Sequence, residues 1–469
     1  MSIYFQRFSL GAVAAAISLA FVGTGVHAGG FQLNETSASG LGNAFAGGAA
    51  AAEDASTLWP NVAGLARVRD SGVVGALHLV TPSLKFRNGA SQAALGQALG
   101  GDGGDAGGLA AVPNLYLARK LDSTLTLGLG LNSPWGLVTE YDDGWAGRFQ
   151  AIKSSIKTMN VNPGVSVKVS DRMALGLGLN AQHIAAEFTN QVNYAGALLG
   201  AAALNGIAPG TPAFNAIAAA TAGLESRARI KGSDLGTGWN IGALWEPDDK
   251  SRFGAQYRSG VSYRIDGNAT FANPAVPAAP PVVGVLANGV NTAVLFDTRI
   301  TSRVKMPAIV NLSYFATVND QWDVMADAQW TEWSVIRNLT FVRADGTELQ
   351  STPENFKNTW KLAFGANYRY SPQWMLRGGI AFDQSPVQTA FRTPRLPDAG
   401  RTWLALGAQY TVNPKVKVDV GGSYLFVKKA TINANGDPTD PTAALANGLV
   451  NGRYDNRTVI LSAQVNYTF

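Results

Sequence analysis

The stretch TLTLGLGLNSPWGLVTEY, Thr124 to Tyr141, holds the reading on which the fold turns. In its first half Leu125, Leu127, Leu129 and Leu131 share one face. Thr126, Gly128, Gly130 and Asn132 take the other. A period of two with one apolar face is the pattern of a half-buried β-strand. Ser133-Pro134-Trp135-Gly136 then interrupts, and apolar residues resume. Proline donates no ladder hydrogen bond, and in sheets it sits at edges or bulges. The stretch therefore reads as a long strand broken in its middle.

The same alternation recurs along the chain. At the C-terminus Val459, Leu461, Ala463, Val465, Tyr467 and Phe469 oppose Thr458, Ile460, Ser462, Gln464, Asn466 and Thr468. Trp322, Val324, Ala326, Ala328 and Trp330 oppose Asp323, Met325, Asp327, Gln329 and Thr331, and 374–383 and 416–420 behave alike. Read as one strand, 253–266 sets Phe253, Ala255, Tyr257, Val261, Tyr263 and Ile265 against Gln256, Arg258, Arg264 and Asp266. Short turns such as Asp122-Ser123, Asn319-Asp320-Gln321 and Asn413-Pro414-Lys415 alternate with long stretches near 88–110, 142–153, 191–228, 272–294, 386–400 and 431–452. With one more hairpin at Asp345-Gly346, they divide the chain into about fourteen antiparallel strands. An even count, short turns on one side and long loops on the other imply an all-β transmembrane β-barrel of a bacterial outer membrane. Aromatics near strand ends (Trp322, Trp360, Trp374, Tyr467, Phe469) suit its girdles. A soluble sandwich or propeller also alternates, but accounts poorly for a charged face opposite an apolar one in strand after strand.

Composition agrees. The chain has 469 residues, 46% of them hydrophobic, and its mean hydropathy is near zero. Its apolar residues are thus interleaved with polar ones. A formal charge of +5 without a basic run argues against nucleic-acid binding. The chain has no cysteine, which excludes disulfides and thiolate chemistry. Arg7, the apolar run FSLGAVAAAISLAFVGTGV and the site VHA read as a signal peptide over 1–28, cut after Ala28. No later segment carries the roughly 18 apolar residues of a membrane helix. His78 and His183 lack metal-ligand spacing, and no G-x-S-x-G appears. The chain is therefore not expected to be an enzyme, and no metal or cofactor is expected.

Residues 29–66, GGFQLNETSASGLGNAFAGGAAAAEDASTLWPNVAGLA, do not alternate. GLGNAFAGG lacks both the preceding strand and the spacing of a phosphate-binding loop. Small residues permit close backbone packing. The scattered Phe31, Leu33, Leu41 and Phe45 point to a compact plug inside the lumen, with the barrel over 67–469. A general porin would need no such segment. The long loop at 191–228 is unusually apolar, and exposed apolar surface marks binding sites. It reads as an outer collecting groove with helical structure.

These residues carry a resemblance. GGFQLNETSASGLGNAFAG, NSPWGLVTEY, GWNIGALWEPDDKSRFGAQYRSGV, WTEWSVI, GIAFDQSPV, RTPRLPDAGRTWLALG and the final NYTF are similar to the FadL family of outer-membrane long-chain fatty acid and hydrocarbon transporters. The resemblance spans nearly the whole mature chain. It implies a fourteen-stranded barrel with an N-terminal hatch in the lumen. It also implies that hatch movement and a kinked third strand let ligand leave sideways through the wall. The lateral gap then falls at Asn132, Ser133, Pro134, Trp135 and Gly136. The expected partners are a long-chain fatty acid, or another hydrophobic small molecule such as an aromatic hydrocarbon or alkane, and outer-membrane lipid. The channel is expected to be a monomer working by passive diffusion.

Two departures stand out. Where the family's hatch usually has Asn-Pro-Ala, this chain has Asn61-Val62-Ala63. The basic residues that relatives place on the fifth and ninth strands fall near Ala185 and Thr340, with Arg337 close to the latter. Candidate ligand contacts are Phe31, Leu33, Trp135, Trp333 and Arg337. Alternation points Arg252, Arg258, Arg264, Lys361, Arg369 and Arg377 inward. Of these, Arg258 and Arg377 are the candidates for a carboxylate head group.

Overall fold

The computed structural model describes residues 30–437 and 441–469. The signal-peptide reading over 1–28 lies outside the described residues. Twenty strand segments form one antiparallel sheet. The first are β1 (Gly72–Asn88), β2 (Ala110–Lys120), β3 (Leu125–Asn132), β4 (Gly136–Glu140), β5 (Lys153–Ser170), β6 (Met173–Asn193) and β7 (Glu225–Trp245). Then come β8 (Ser251–Arg258), β9 (Val261–Ala272), β10 (Thr298–Met306), β11 (Ile309–Thr317), β12 (Trp322–Thr331), β13 (Asn338–Arg343) and β14 (Glu348–Pro353). The last are β15 (Thr359–Arg369), β16 (Trp374–Asp383), β17 (Arg401–Asn413), β18 (Val416–Val427), β19 (Ala430–Ala434) and β20 (Val450–Thr468). Several wall strands are broken in two, so the segments build fourteen strands. The whole of β1 pairs with β20, from Gly72 opposite Thr468 to Asn88 opposite Gly452, and closes the barrel. Pairing of the first strand with the last removes the two end edges that an open sheet would expose to lipid.

Alternation sorts the side chains as the sequence implies. Leu127, Leu129, Leu404, Leu461 and Val465 are exposed on the outer face, where lipid replaces water. Trp322 and Tyr368 lie 4.7 Å apart, Trp374 and Tyr410 also 4.7 Å, and Trp245 and Phe253 5.6 Å. All stand beside the short turns and form an aromatic girdle at that end.

The strand breaks have a consequence that simple alternation misses. In β8 the even residues Gly254, Gln256 and Arg258 are buried, but in β9 the odd residues Val261, Tyr263 and Ile265 are. The break at Ser259-Gly260 inverts the phase, because side chains change faces at every residue. Arg264 and Asp266 therefore face outward and are exposed, correcting the single-strand reading of 253–266. Pro307-Ala308 inverts the phase again between β10 and β11. The inner face of β9 and β10 becomes apolar as a result.

Residues 30–67 fill the lumen as short helical turns, at Ala38–Gly42, Gly48–Ala51, Ala55–Leu58 and Val62–Arg67. Inward-facing wall glycines make their seat. A Cβ at Gly379 would collide with the backbone of Asn43, and one at Gly254 with the Ala49 carbonyl. Asn61 is fully buried. Its Oδ1 caps the last turn by accepting from the Ala63 N–H (3.0 Å), and its Nδ2 donates to Ala49 O (2.7 Å) and to wall residue Ala243 O (2.9 Å). Val62 uses the N–H that a proline would lack, donating to Gln256 Oε1 at 3.1 Å. On the outer side, helices Tyr194–Leu204, Pro212–Thr221 and Val282–Ala293 pack together around Tyr194, Leu198, Ile217 and Leu286. Much of the apolar content of 191–228 is used in that packing.

Candidate functional site

The third wall strand stops at Asn132 and resumes at Gly136. Asn132 pairs with Asn160 and Gly136 with Lys157. Ser133, Pro134 and Trp135 thus oppose only Thr158 and Met159, which makes a bulge. On the other side the β2 ladder ends where Leu115 meets Leu131, and β4 pairs with β5 alone. No strand ladder joins Ala110–Asn114 to β4 among the described residues, so the wall has a gap there.

The start of the lumen segment closes it. The Leu33 N–H donates to Pro134 O, and the Gly136 N–H to Phe31 O, each at 2.9 Å. Gln32 bridges to Trp135. Toward β5, the Trp135 N–H donates to Thr158 Oγ1 (2.9 Å), and Trp135 O accepts from Thr158 N (3.2 Å). The broken strand therefore keeps its hydrogen bonds by borrowing a short strand from the plug. Backbone groups left unpaired there would cost about 1–3 kcal/mol each.

Behind this strand lies an aromatic cluster. Phe31 meets Trp333 edge-on at 4.9 Å and Trp135 at 6.0 Å, and the two tryptophans are 5.4 Å apart. Gly30 has φ +64°, and a Cβ there would press on Trp333 at 2.7 Å. Only glycine gives the chain this entry angle without strain.

Above Phe31 opens a narrow cavity lined by Leu137, Ile184, Phe188, Ile265, Phe341 and other apolar side chains. Glu354 and Arg395 are the charged residues in its lining. A second, wider cavity of about 540 Å³ lies further out, among Phe149, Val192, Phe271, Leu295, Phe391 and others. Ile230 and Arg395 line both, so the two cavities adjoin.

Of the sequence candidates, Phe31 lines the inner cavity, and Leu33, Trp135 and Trp333 are buried just beneath it. Arg337 is exposed and lines neither cavity. Arg258 stacks on Trp59 (3.6 Å) and donates to Trp59 O (2.9 Å). Arg377 is paired with Glu53 (2.6 Å) and Asp419 (3.2 Å). Both arginines anchor the plug, away from the two cavities. Asn132 belongs to a buried asparagine belt, accepting from Asn160 Nδ2 at 3.0 Å. Ala185 is absent from the cavity lining, to which its neighbours Ile184 and Ala186 contribute. Arg395 and Glu354 were not singled out from sequence. They sit in loops, where no periodicity shows direction, although Arg395 lies within the RTPRLPDAGRTW motif.

A closed barrel with a seated plug, a wall gap and apolar cavities defines an outer-membrane transporter of hydrophobic compounds. The chain belongs to the family described as outer membrane protein transport protein (OMPP1/FadL/TodX), whose model matches residues 19–469. It is 31% identical to the long-chain fatty acid transport protein of Escherichia coli K12 over 430 residues, covering 90% of this chain and 93% of that one. It is 28% identical to outer membrane protein P1 of Haemophilus influenzae, covering 99% and 100%. Among solved structures it is similar to a Pseudomonas aeruginosa FadL homologue, with TM-score 0.82 and 26% identity over 94% of this chain and 100% of that one. It also shares its fold with the toluene transporter TbuX of Ralstonia pickettii, at TM-score 0.62 and 18% identity over 92% and 98%.

Proposed function

We propose that this chain is a monomeric, passive channel for long-chain fatty acids, with aromatic hydrocarbons or alkanes as the alternative cargo. Ligand collects in the outer groove, passes Arg395 into the inner apolar cavity, and reaches Phe31. Displacement of the Phe31–Leu33 strand then uncovers the gap at Asn132–Gly136, and ligand leaves sideways into outer-membrane lipid. No chemical conversion is part of this route. The observation that carries the reading is that Phe31 does two things at once: it floors the cavity and its carbonyl caps the gap. Ligand arriving in the cavity presses on the piece of chain that closes the wall.

The exit suits the cargo. Each CH₂ favours transfer out of water by about 0.8 kcal/mol, so a long alkyl chain prefers lipid to periplasmic water by roughly 10 kcal/mol. A straight aqueous pore would oppose that preference, whereas a hole into the bilayer follows it.

The test is uptake of oleate and of toluene in cells lacking their own transporter. Wild type is compared with a variant in which Ser133-Pro134-Trp135 becomes Leu-Thr-Leu, straightening the strand. Loss of oleate uptake with the barrel still folded supports the route. Toluene uptake without oleate uptake transfers the assignment to hydrocarbons, and unchanged uptake in the straightened variant refutes the lateral exit.

A further inference from the structure

The lining of the inner cavity is apolar apart from Ser302 and two charged residues from separate loops, Arg395 and Glu354. Arg395 is held in place by the wall. Its Nη1 donates to Ser154 Oγ at 3.2 Å and its Nη2 to Asn190 Oδ1 at 3.2 Å, while its guanidinium lies 5.3 Å from the Phe188 ring. A guanidinium carries five N–H donors, so capacity remains for a ligand. The Glu354 N–H is tied to Arg337 O at 2.8 Å. Its side chain is buried at the cavity. Arg395 is the charged group set against it, and Ile336, Leu339, Phe341, Phe356 and Leu396 supply apolar surroundings.

We propose that Arg395 and Glu354, the charged groups lining the inner apolar cavity, form a head-group site that selects long-chain acids over neutral hydrocarbons, with the ligand carboxylate bound by Arg395 beside Glu354. This rests on the transport reading above and adds the chemistry of its inner site. Arg395 donates charge-assisted hydrogen bonds to the carboxylate. Glu354, when protonated, donates its O–H to the same group; when ionised, it neutralises Arg395 and repels the ligand. The pair stands in for the basic strand residues that this chain lacks near Ala185 and Thr340. Arg395 lines both cavities, which puts head-group recognition where ligand changes compartments.

Burial pushes the Glu354 carboxyl up to about 7, with the Arg395 charge pulling the other way. Binding of an acid should therefore weaken as pH rises through about 7, while binding of a neutral ligand stays level.

The test measures binding of a fluorescent long-chain fatty acid and of its methyl ester to the detergent-solubilised protein. The two ligands differ only in head-group charge. Arg395→Gln is expected to weaken acid binding by about tenfold or more and to leave the ester within about twofold. Arg395→Lys restores part of the acid affinity. Glu354→Gln is expected to flatten the pH profile of acid binding between about pH 6 and pH 8. Retained ester binding shows that each variant is folded. Equal losses for acid and ester in Arg395→Gln, or an unchanged pH profile in Glu354→Gln, overturn the inference. Wild type that binds acid and ester alike at every pH also overturns it while leaving the transport reading intact. Wild type that binds neither ligand rejects both readings.

Discussion

At the scale of single residues, Glu35 shows how the plug is tuned. It follows directly on the strand that closes the gap and is almost fully buried, at 1% exposure. Burial pushes its carboxyl up to about 7, opposed by its own backbone N–H and by Lys361 and Arg401. A carboxyl raised in the native state keeps its proton longer than in the unfolded chain. Stability is therefore full below about pH 4.5 and falls as pH rises toward about 7. Glu35→Gln is expected to remove that slope and to gain on the order of 3 kcal/mol over wild type at alkaline pH. Denaturant unfolding of the solubilised protein at acid and alkaline pH measures it; parallel curves for both proteins would contradict the assignment. Val62 is a second case. Val62→Pro deletes the bond to Gln256 and should cost about 1 kcal/mol in the same assay. A gain in stability would mean that the stiffer turn outweighs the bond.

At the scale of elements, the plug and wall fit by subtraction. Glycines on the inner face remove the side chains that would keep the plug out, while Arg377 and Asn61 hold it in. Gly379→Val places a branched side chain against the Asn43 backbone and should unseat Ala38–Gly42 without disturbing the outer face. The expected result is a barrel that still folds but conducts ions in planar bilayers, where wild type is closed. An equally closed Gly379→Val channel would show that the seat tolerates the added volume. The broken strands are the other element-scale device. Each break that inverts the phase exchanges charged for apolar side chains on the inner wall, so the upper lumen of β9 and β10 is apolar even though their sequences also carry Arg264, Arg299 and Arg303.

At the scale of the whole molecule, the barrel places an apolar cavity beside a break in the wall that the Phe31–Leu33 segment closes. In vesicles with a lipopolysaccharide outer leaflet, and with no ion gradient imposed, a fluorescent fatty acid should reach a probe within the bilayer before a probe in the aqueous interior. The reverse order would indicate passage straight through the lumen. The straightened strand should abolish the early bilayer signal, and its persistence would point to another route into the membrane.

The sequence by itself determined the wall and its weak point. Alternation in strands such as 322–331 and 458–469 depends only on which face meets lipid, and Pro134 cannot donate a ladder hydrogen bond wherever it is placed. The plug was also legible, because a run of small residues without period two cannot be a wall strand. Only the tertiary structure decided which charges meet the cavity. Arg258 and Arg377 do point inward, but at the level of the plug, and their partners Trp59, Glu53 and Asp419 are distant in sequence. Arg264 turns outward because one break shifts the phase of everything beyond it. Arg395 and Glu354 line the inner cavity from separate loops, and loops carry no period from which direction can be read. Periodicity is local and survives in one dimension; a binding site is made of contacts between segments far apart along the chain, and those exist only once the barrel has closed.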